Sequence, residues 1–167
     1  MALQMYPHEQ GSSMKTASDI LIVDDESDIR LLIGATLRDE GFTTMEAASA
    51  MEAREILAAK PPGLAILDIW MRDSDMDGLE LLEWVKGVYP ELPVLMISGH
   101  GTVETAVQAI RNGAYDFIEK PFKEDRLLLM VQRALEASRL ERENAVIMGV
   151  VLLILGVVVI AKGLAYF

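Results

Sequence analysis

Short apolar runs alternate with segments of helical periodicity along residues 19–142, and this alternation restricts the chain to a small group of folds. Each run has four to six residues, which is the length of a strand and too short for a buried helix. The five runs are residues 19–23, 42–47, 64–67, 93–97 and 115–118. Strands that alternate with helices form a parallel sheet covered by helices on both faces. The sequence therefore predicts an α/β domain with a doubly wound, five-stranded parallel sheet.

The segments between the apolar runs carry apolar residues every three or four positions and end at residues that stop helices. Gly41 follows the first segment, a Pro-Pro-Gly sequence at 61–63 follows the second, and Gly113 follows the fourth. Proline lacks the N–H group that a helix interior needs, and glycine adopts the left-handed conformation common after a last turn. The predicted helices are residues 28–40, 50–60, 79–88, 102–112 and 123–142.

Polar side chains stand at the carboxyl ends of four of the apolar runs. They are Asp24, Asp25, Asp68, Ser98 and Lys120. In an open parallel sheet these ends meet at one edge, which is where ligands bind. Carboxylates brought together repel one another unless a cation lies between them, and an all-oxygen ligand set suits Mg²⁺. The sequence therefore predicts an acidic site at this edge for Mg²⁺ and a phosphoryl group.

The residue types of the predicted site also indicate its chemistry. A carboxylate beside a divalent cation can attack phosphorus and form an acyl phosphate. A lysine and a hydroxyl can then neutralise and orient the phosphoryl oxygens. The chain has no cysteine and two histidines, which excludes thiolate ligands and argues against a zinc site.

These five side chains, in this order and at this spacing, resemble the receiver domain of bacterial two-component response regulators. The resemblance covers residues 19–142 and implies a flavodoxin-like sheet of order 2-1-3-4-5. It implies that Asp68 accepts a phosphoryl group from a sensor histidine kinase, that Ser98 hydrogen-bonds that group and that Lys120 pairs with it. It also implies a cis peptide bond between Lys120 and Pro121.

The resemblance implies a ligand set for Mg²⁺ as well. The metal would be held by Asp24, Asp25, Asp68 and the backbone carbonyl of Trp70. Phe117 occupies the position of the aromatic residue that moves when receivers switch. His100 follows Ser98 by two positions, and we interpret it as a residue of the switch loop without a catalytic role, because receiver chemistry proceeds without it.

Three longer stretches, residues 67–70, 96–101 and 114–122, are similar to NtrX-type nitrogen-regulation regulators. As in that group, the loop after Asp68 is about two residues longer than in most receivers, and Arg72 replaces the usual proline. NtrX-type proteins continue into an ATPase domain and a helix-turn-helix domain, which this sequence does not show. The formal net charge of −11 also opposes binding to a phosphate backbone. We therefore expect no direct nucleic-acid binding by this chain.

Residues 145–161 form an uncharged apolar run, followed by Lys162. As a helix the run would extend about 25 Å, and bilayer cores are about 30 Å thick. The sequence predicts a transmembrane helix over residues 145–165, with the receiver on the cytoplasmic face of the bacterial inner membrane, or in the cytoplasm if this segment does not span. A buried or oligomerising helix is the alternative. Glycines spaced seven residues apart favour pairing of two such helices.

The chain is thus expected to have three parts: a disordered leader over 1–18, a receiver domain over 19–143 and the apolar helix over 145–165. The predicted function is a phosphorylation-dependent signalling switch that is not a conventional enzyme. A homodimer would form through the last receiver helix or the apolar helix. Two alternatives remain open: an aspartyl phosphohydrolase, and a receiver joined to an unrelated membrane or oligomerising helix.

Overall fold

The computed structural model describes residues 19–72 and 74–164, and the side chains of α5 as far as residue 157. The predicted leader over residues 1–18 lies outside the described residues. Five strands and five helices alternate along the described chain. They are β1 Asp19–Val23, α1 Ser27–Asp39, β2 Thr43–Ala47, α2 Ala50–Ala59, β3 Leu64–Asp68, α3 Gly78–Val88, β4 Val94–Ser98, α4 Val103–Arg111, β5 Asp116–Glu119 and α5 Glu124–Leu164.

The strands form one parallel sheet of order β2-β1-β3-β4-β5, which confirms the predicted topology. Its register determines which residues meet at the carboxyl edge. Val23 pairs with Leu67, so the residues that follow them, Asp24 and Asp68, lie side by side at this edge. Ser98 pairs with Glu119, which places Lys120 just beyond the end of β4.

Apolar residues of the central strands point alternately to the two faces, and each face has its own hydrophobic cluster. Leu21 and Leu67 belong to the cluster beneath α2 and α3, and Ile22 and Ile66 to the cluster beneath α1 and α5. These strand residues are fully buried. Burying such a side chain stabilises the fold by about 1.5–3 kcal/mol, so the two clusters hold the sheet edge rigidly.

Most predicted boundaries are correct to within one residue, but two site residues belong to strands instead of following them. Asp68 and Ser98 are the last residues of β3 and β4. The parallel ladder continues past both of them, because Ile69 N donates to Ile97 O at 3.0 Å and Lys120 N donates to Ser98 O at 2.8 Å. The site therefore stands on the sheet itself, which is the most rigid part of the domain.

The last helix differs from the prediction. The sequence predicted one helix ending at residue 142 and a separate apolar helix from 145, whereas α5 runs without a break from Glu124 to Leu164. Residues 124–148, which include the predicted break, contain no glycine or proline that would end a helix. Ion pairs one turn apart, from Arg139 to Glu136 at 2.8 Å and to Glu143 at 3.6 Å, support the helix where the break was predicted.

The predicted transmembrane helix over residues 145–165 is not supported. Within the described part of the chain, no helix is long and apolar enough to cross a bilayer. The side chains of residues 158–165 lie outside the described part.

Candidate functional site

Three carboxylates and one ammonium group converge at the carboxyl edge of the sheet. Asp24, Asp25 and Asp68 each offer an oxygen, and these oxygens all lie within 4.8 Å of one another. Lys120 Nζ lies 2.7 Å from Asp24 Oδ2 and 3.2 Å from Asp68 Oδ1. Asp25, Asp68 and Lys120 line a cleft of about 230 Å³ that opens to solvent. The predicted clustering of these four residues is therefore present in the structure.

Asp24 is the most constrained of the three acids. It is fully buried, and its amide donates to Ala47 O at 3.2 Å, which extends the pairing of β1 with β2. Its Oδ1 accepts the Glu26 amide at 2.9 Å, and its carbonyl accepts the Arg30 guanidinium at 2.5 Å. With both its backbone and its carboxylate held by hydrogen bonds, Asp24 presents Oδ2 to Lys120 in a single orientation.

Asp25 is more exposed and is held from the opposite side of the cleft. Its Oδ2 accepts the backbone amide of Arg72 at 3.1 Å. Arg72 belongs to the loop between β3 and α3, so this loop contacts the acidic cluster directly.

Asp68 is almost completely buried, and its backbone is packed closely against the start of α3. Gly78, the first residue of α3, donates its amide to Ile69 O at 2.8 Å. A Cβ atom on Gly78 would lie 1.9 Å from the carbonyl oxygen of Asp68. Asp77 caps this helix with Glu80 in a reciprocal capping box, which fixes the glycine in place. Only glycine allows α3 to begin so close to the end of β3.

Burial dominates the electrostatics of the site. Desolvation, reinforced by the charge of Asp24, raises the pKa of Asp68 to about 6 even though Lys120 opposes the shift. Desolvation also raises the pKa of Asp24 above its usual value, against the hydrogen bond from Lys120. Burial would lower the pKa of Lys120, but the hydrogen bond to Asp24 and the charge of Asp68 raise it. The lysine therefore stays charged, and the acids retain an excess of negative charge.

The donor set fits Mg²⁺. The three carboxylates supply hard oxygen ligands within a span that one cation can bridge, and a cation would offset the desolvation and the repulsion from Asp24 that raise the pKa of Asp68. Trp70, whose carbonyl is the fourth predicted ligand, lines the same cleft and is half exposed.

The remaining predicted residues lie on the β4 and β5 side of the site. Ser98 is fully buried at the end of β4, and its Oγ accepts the His100 amide at 3.2 Å. His100 lines the cleft, in keeping with its interpretation as a loop residue. The partly buried ring of Phe117 occupies the space beside Gly101, since a Cβ atom there would lie 2.4 Å from Cζ of the ring. The predicted bond between Lys120 and Pro121 is cis.

Four further residues contribute to the site and were not predicted. Glu26 lies 3.3 Å from Lys120, and Arg30, Arg72 and Gly78 make the backbone contacts described above. Gly78 had a usable signal, because a glycine directly after a helix-capping Asp77 is compatible with a close approach of two backbones. The others had none, since the contact of Arg72 depends on the path of a loop and those of Glu26 and Arg30 depend on side-chain orientations that residue type does not specify.

The fold and site agree with comparisons to known proteins. The family model of the response regulator receiver domain matches residues 20–132. The nitrogen assimilation regulatory protein NtrX of Azorhizobium caulinodans is 57% identical over 127 residues, which cover 76% of this chain and 28% of that protein. The chain spans about a quarter of the length of the curated relatives it matches.

Solved structures give the same result. The crystal structure of the receiver domain of NtrX from Brucella abortus is 58% identical, with a TM-score of 0.69 over 71% of this chain and 98% of that one. The solution structure of the beryllofluoride-activated NtrC4 receiver domain dimer is 38% identical, with a TM-score of 0.68 over 72% of this chain and 98% of that one. By fold, by acidic site and by sequence, the chain belongs to the response regulator receiver domain family.

Proposed function

We propose that the domain is a phosphorylation-dependent switch in which Asp68 accepts a phosphoryl group from a sensor histidine kinase. One observation carries the proposal: the Asp68 carboxylate lies at an open cleft beside two further carboxylates and Lys120. An isolated buried carboxylate would be a poor nucleophile at neutral pH, because its pKa would favour the protonated form. The neighbouring groups supply a cation site and an ammonium that make the ionised form usable.

The proposed reaction transfers phosphorus from nitrogen to oxygen. An Asp68 carboxylate oxygen attacks the phosphorus of the kinase phosphohistidine, whose other ring nitrogen is protonated. The P–N bond breaks, its electron pair stays on nitrogen, and neutral imidazole leaves. Bound Mg²⁺, held by Asp24, Asp25, Asp68 and the Trp70 carbonyl, would neutralise charge on the phosphoryl oxygens. The Lys120 ammonium pairs with one phosphoryl oxygen, and the Ser98 hydroxyl donates to another. Once Asp68 carries the phosphoryl group, the Lys120 ammonium divides its hydrogen bonds between that group and Asp24.

The hydrolase alternative is less well supported by the site. Aspartyl phosphohydrolases of related chemistry use a second acid two residues after the nucleophile, and Trp70 stands at that position here. A switch should accept one phosphoryl group per chain and lose it slowly, whereas a hydrolase should turn over repeatedly. Incubation with acetyl phosphate or p-nitrophenyl phosphate, with Mg²⁺ or with EDTA, separates the two. We expect Mg²⁺-dependent labelling that approaches one group per chain, and sustained multiple turnover would support the hydrolase.

The proposed partners follow from the same reading. We propose that the domain acts in the cytoplasm, where ATP-dependent kinases and Mg²⁺ are available, and the similarity to NtrX supports a role in nitrogen regulation. A second copy of the chain is the other proposed partner, through the outer face of α5, where Leu129 and Leu140 are 46% and 47% exposed. The dimeric state of the NtrC4 receiver supports this pairing by analogy.

The switch itself can be tested at Gly101. In Gly101→Ala the new methyl group would collide with the Phe117 ring at 2.4 Å, so the ring must leave the position it occupies here. We expect amide exchange over residues 99–112 to change without any phosphoryl group, and phosphorylation to add less than it does in the wild type. Hydrogen exchange followed by mass spectrometry measures both.

Gly99→Ala is the matched control in the same loop, since its Cβ would meet only the Lys120 side chain at an ordinary 3.8 Å. Its exchange over residues 99–112 before phosphorylation should equal that of the wild type. If Gly101→Ala also exchanges and responds like the wild type, Phe117 does not couple the site to α4.

A further inference from the structure

The described residues of the loop between β3 and α3, 69–72 and 74–77, contact α2, which does not adjoin this loop in the sequence. Ser74 Oγ accepts the backbone amide of Ala50, the first residue of α2, at 2.9 Å. Asp75 Oδ2 lies 3.7 Å from Arg54 Nη1, one turn further along α2. Two successive loop residues therefore tie the loop to the start of α2.

The tie at Ser74 satisfies a group that would otherwise lack a partner. The first amides of a helix have no acceptor within the helix, and Ala50 is fully buried, so water cannot supply one. Ser49, the N-cap of α2, is already used by the amide of Glu52 at 3.3 Å. The Ser74 hydroxyl is thus the acceptor for the Ala50 amide, and this hydrogen bond holds Ser74 against the start of α2.

The second tie rests on the side chain of Arg54. Its guanidinium lies 5.1 Å from the centre of the Trp84 ring of α3, and Trp84 packs edge-on against Tyr89 at 6.1 Å. The arginine is therefore held by α3 while it pairs with the loop. An exposed ion pair alone is worth little, but this one has a pre-positioned partner.

The other end of the tied segment contacts the acidic cluster. Arg72, two residues before Ser74, donates its amide to Asp25 Oδ2 at 3.1 Å. Trp70, two residues earlier again, carries the carbonyl proposed as a metal ligand. Loss of a partner that orients a metal ligand typically lowers metal affinity 10- to 100-fold.

We propose that Ser74 is a positioning residue for the Mg²⁺ site. By fixing the loop to α2, it places the Arg72 amide that orients the Asp25 carboxylate, and it limits the freedom of the Trp70 carbonyl. The inference rests on the proposed function, since it concerns Mg²⁺ at that same site.

The test compares Ser74→Ala with Ser49→Ala. Both variants remove a serine hydroxyl that accepts an amide in the first turn of α2, but only Ser74 belongs to the loop. We expect Ser74→Ala to raise the Mg²⁺ dissociation constant about 3- to 10-fold, less than the 10- to 100-fold typical of a direct partner of a ligand. Ser49→Ala should leave it unchanged. Calorimetric titration with Mg²⁺ alone measures both values.

A kinetic readout separates positioning from general loss of structure. With acetyl phosphate as donor, the Mg²⁺ concentration for half-maximal phosphorylation of Ser74→Ala should rise by the same factor. The rate at saturating Mg²⁺ should return to within about twofold of the wild type, because the metal restores the ligand geometry once bound. Equal shifts in both serine variants, or none in Ser74→Ala, would overturn the inference.

Arg54→Gln keeps the test decisive if Ser74→Ala does not fold. Removing the positive charge of Arg54 should by itself strengthen Mg²⁺ binding. Loss of its ion pair with Asp75 should instead weaken Mg²⁺ binding about twofold, the value of an exposed ion pair. Unchanged or tighter binding in Arg54→Gln would then overturn the inference. If the wild type itself bound no Mg²⁺, the proposed function would fail, whereas wild-type binding with unaffected variants removes only the role of the loop.

Discussion

Replacing Asp68 by asparagine is expected to abolish phosphorylation and yet to raise the free energy of unfolding of the metal-free domain by about 3 kcal/mol at pH 7.5. The first effect follows from loss of the nucleophilic oxygen. The second follows from burial: desolvation and the charge of Asp24 raise the pKa of Asp68 to about 6, so its ionised form is disfavoured in the folded state. Asparagine has nearly the same shape and carries no charge.

The pH dependence gives the sign of this effect. The folded-state pKa lies above the ordinary value of 3.8, so the folded domain holds a proton on Asp68 where the unfolded chain has lost it. Titration of Asp68 therefore lowers the free energy of unfolding as pH rises from about 4 to about 6, and causes no further change at higher pH. Asp68→Asn should lack this fall, which denaturant melts between pH 4 and pH 8 without metal can measure.

One control variant and one comparison with Mg²⁺ complete the experiment. Asp39→Asn removes an exposed acid at the end of α1 and should keep both phosphorylation and the wild-type pH profile. Mg²⁺ should stabilise the wild type and Asp39→Asn more than it stabilises Asp68→Asn, since the last has lost a ligand. A metal-free Asp68→Asn that is less stable than the wild type at pH 7.5 would show that the buried carboxylate is not under repulsion.

The second large effect is expected from Gly78→Ala. The added Cβ would lie 1.9 Å from the Asp68 carbonyl oxygen and 2.7 Å from Ile69 Cα. Both are backbone atoms, so no rotamer change can relieve the overlap, and either α3 or the end of β3 must move. We expect the domain to lose about 3 kcal/mol of stability or more, the upper range for overpacking. Any folded fraction should bind Mg²⁺ more weakly, because Asp68 moves with its backbone.

Gly87→Ala in the same helix is the matched control. Nothing lies within 4 Å of its Cβ position, so the change should be neutral or stabilise the helix by about 0.5–1 kcal/mol. Thermal or urea melts of the two variants, with Mg²⁺ titration of both, make the comparison. Wild-type stability and Mg²⁺ affinity in Gly78→Ala would show that the close approach of α3 to Asp68 does not constrain the site.

The sheet and the cluster at its edge were predictable because they depend on short-range patterns. Apolar runs with polar ends specify parallel strands, and the parallel arrangement brings Asp24, Asp25, Asp68 and Lys120 to one edge without any knowledge of loop paths. The pattern does not indicate whether the polar residue is the last residue of the strand or the first residue after it. That depends on how far the ladder continues, as at Ser98, where Lys120 still donates to the neighbouring carbonyl.

The contacts that orient the cluster were not predictable. Arg72 donates its backbone amide to the carboxylate of Asp25, 47 positions earlier in the chain. Every residue except proline has such an amide, so the residue type does not indicate this contact. Ser74 and Ala50 meet only because the loop crosses to α2. The predicted break in the last helix is wrong for a different reason. Hydropathy changes near residue 144, but a change in hydropathy does not end a helix, and α5 and the Arg139 ion pairs continue through this point.

The central claim is that Asp68 is the phosphate acceptor and that acceptance requires Mg²⁺. The most direct measurement is to phosphorylate the full chain with acetyl phosphate, reduce the acyl phosphate with borohydride, and locate the resulting homoserine by peptide mass spectrometry. Conversion at position 68 alone, in the presence of Mg²⁺ and not of EDTA, is the predicted result. Conversion at Asp24, Asp25 or any other carboxylate, or equal conversion at Asp68 in EDTA, would contradict the account.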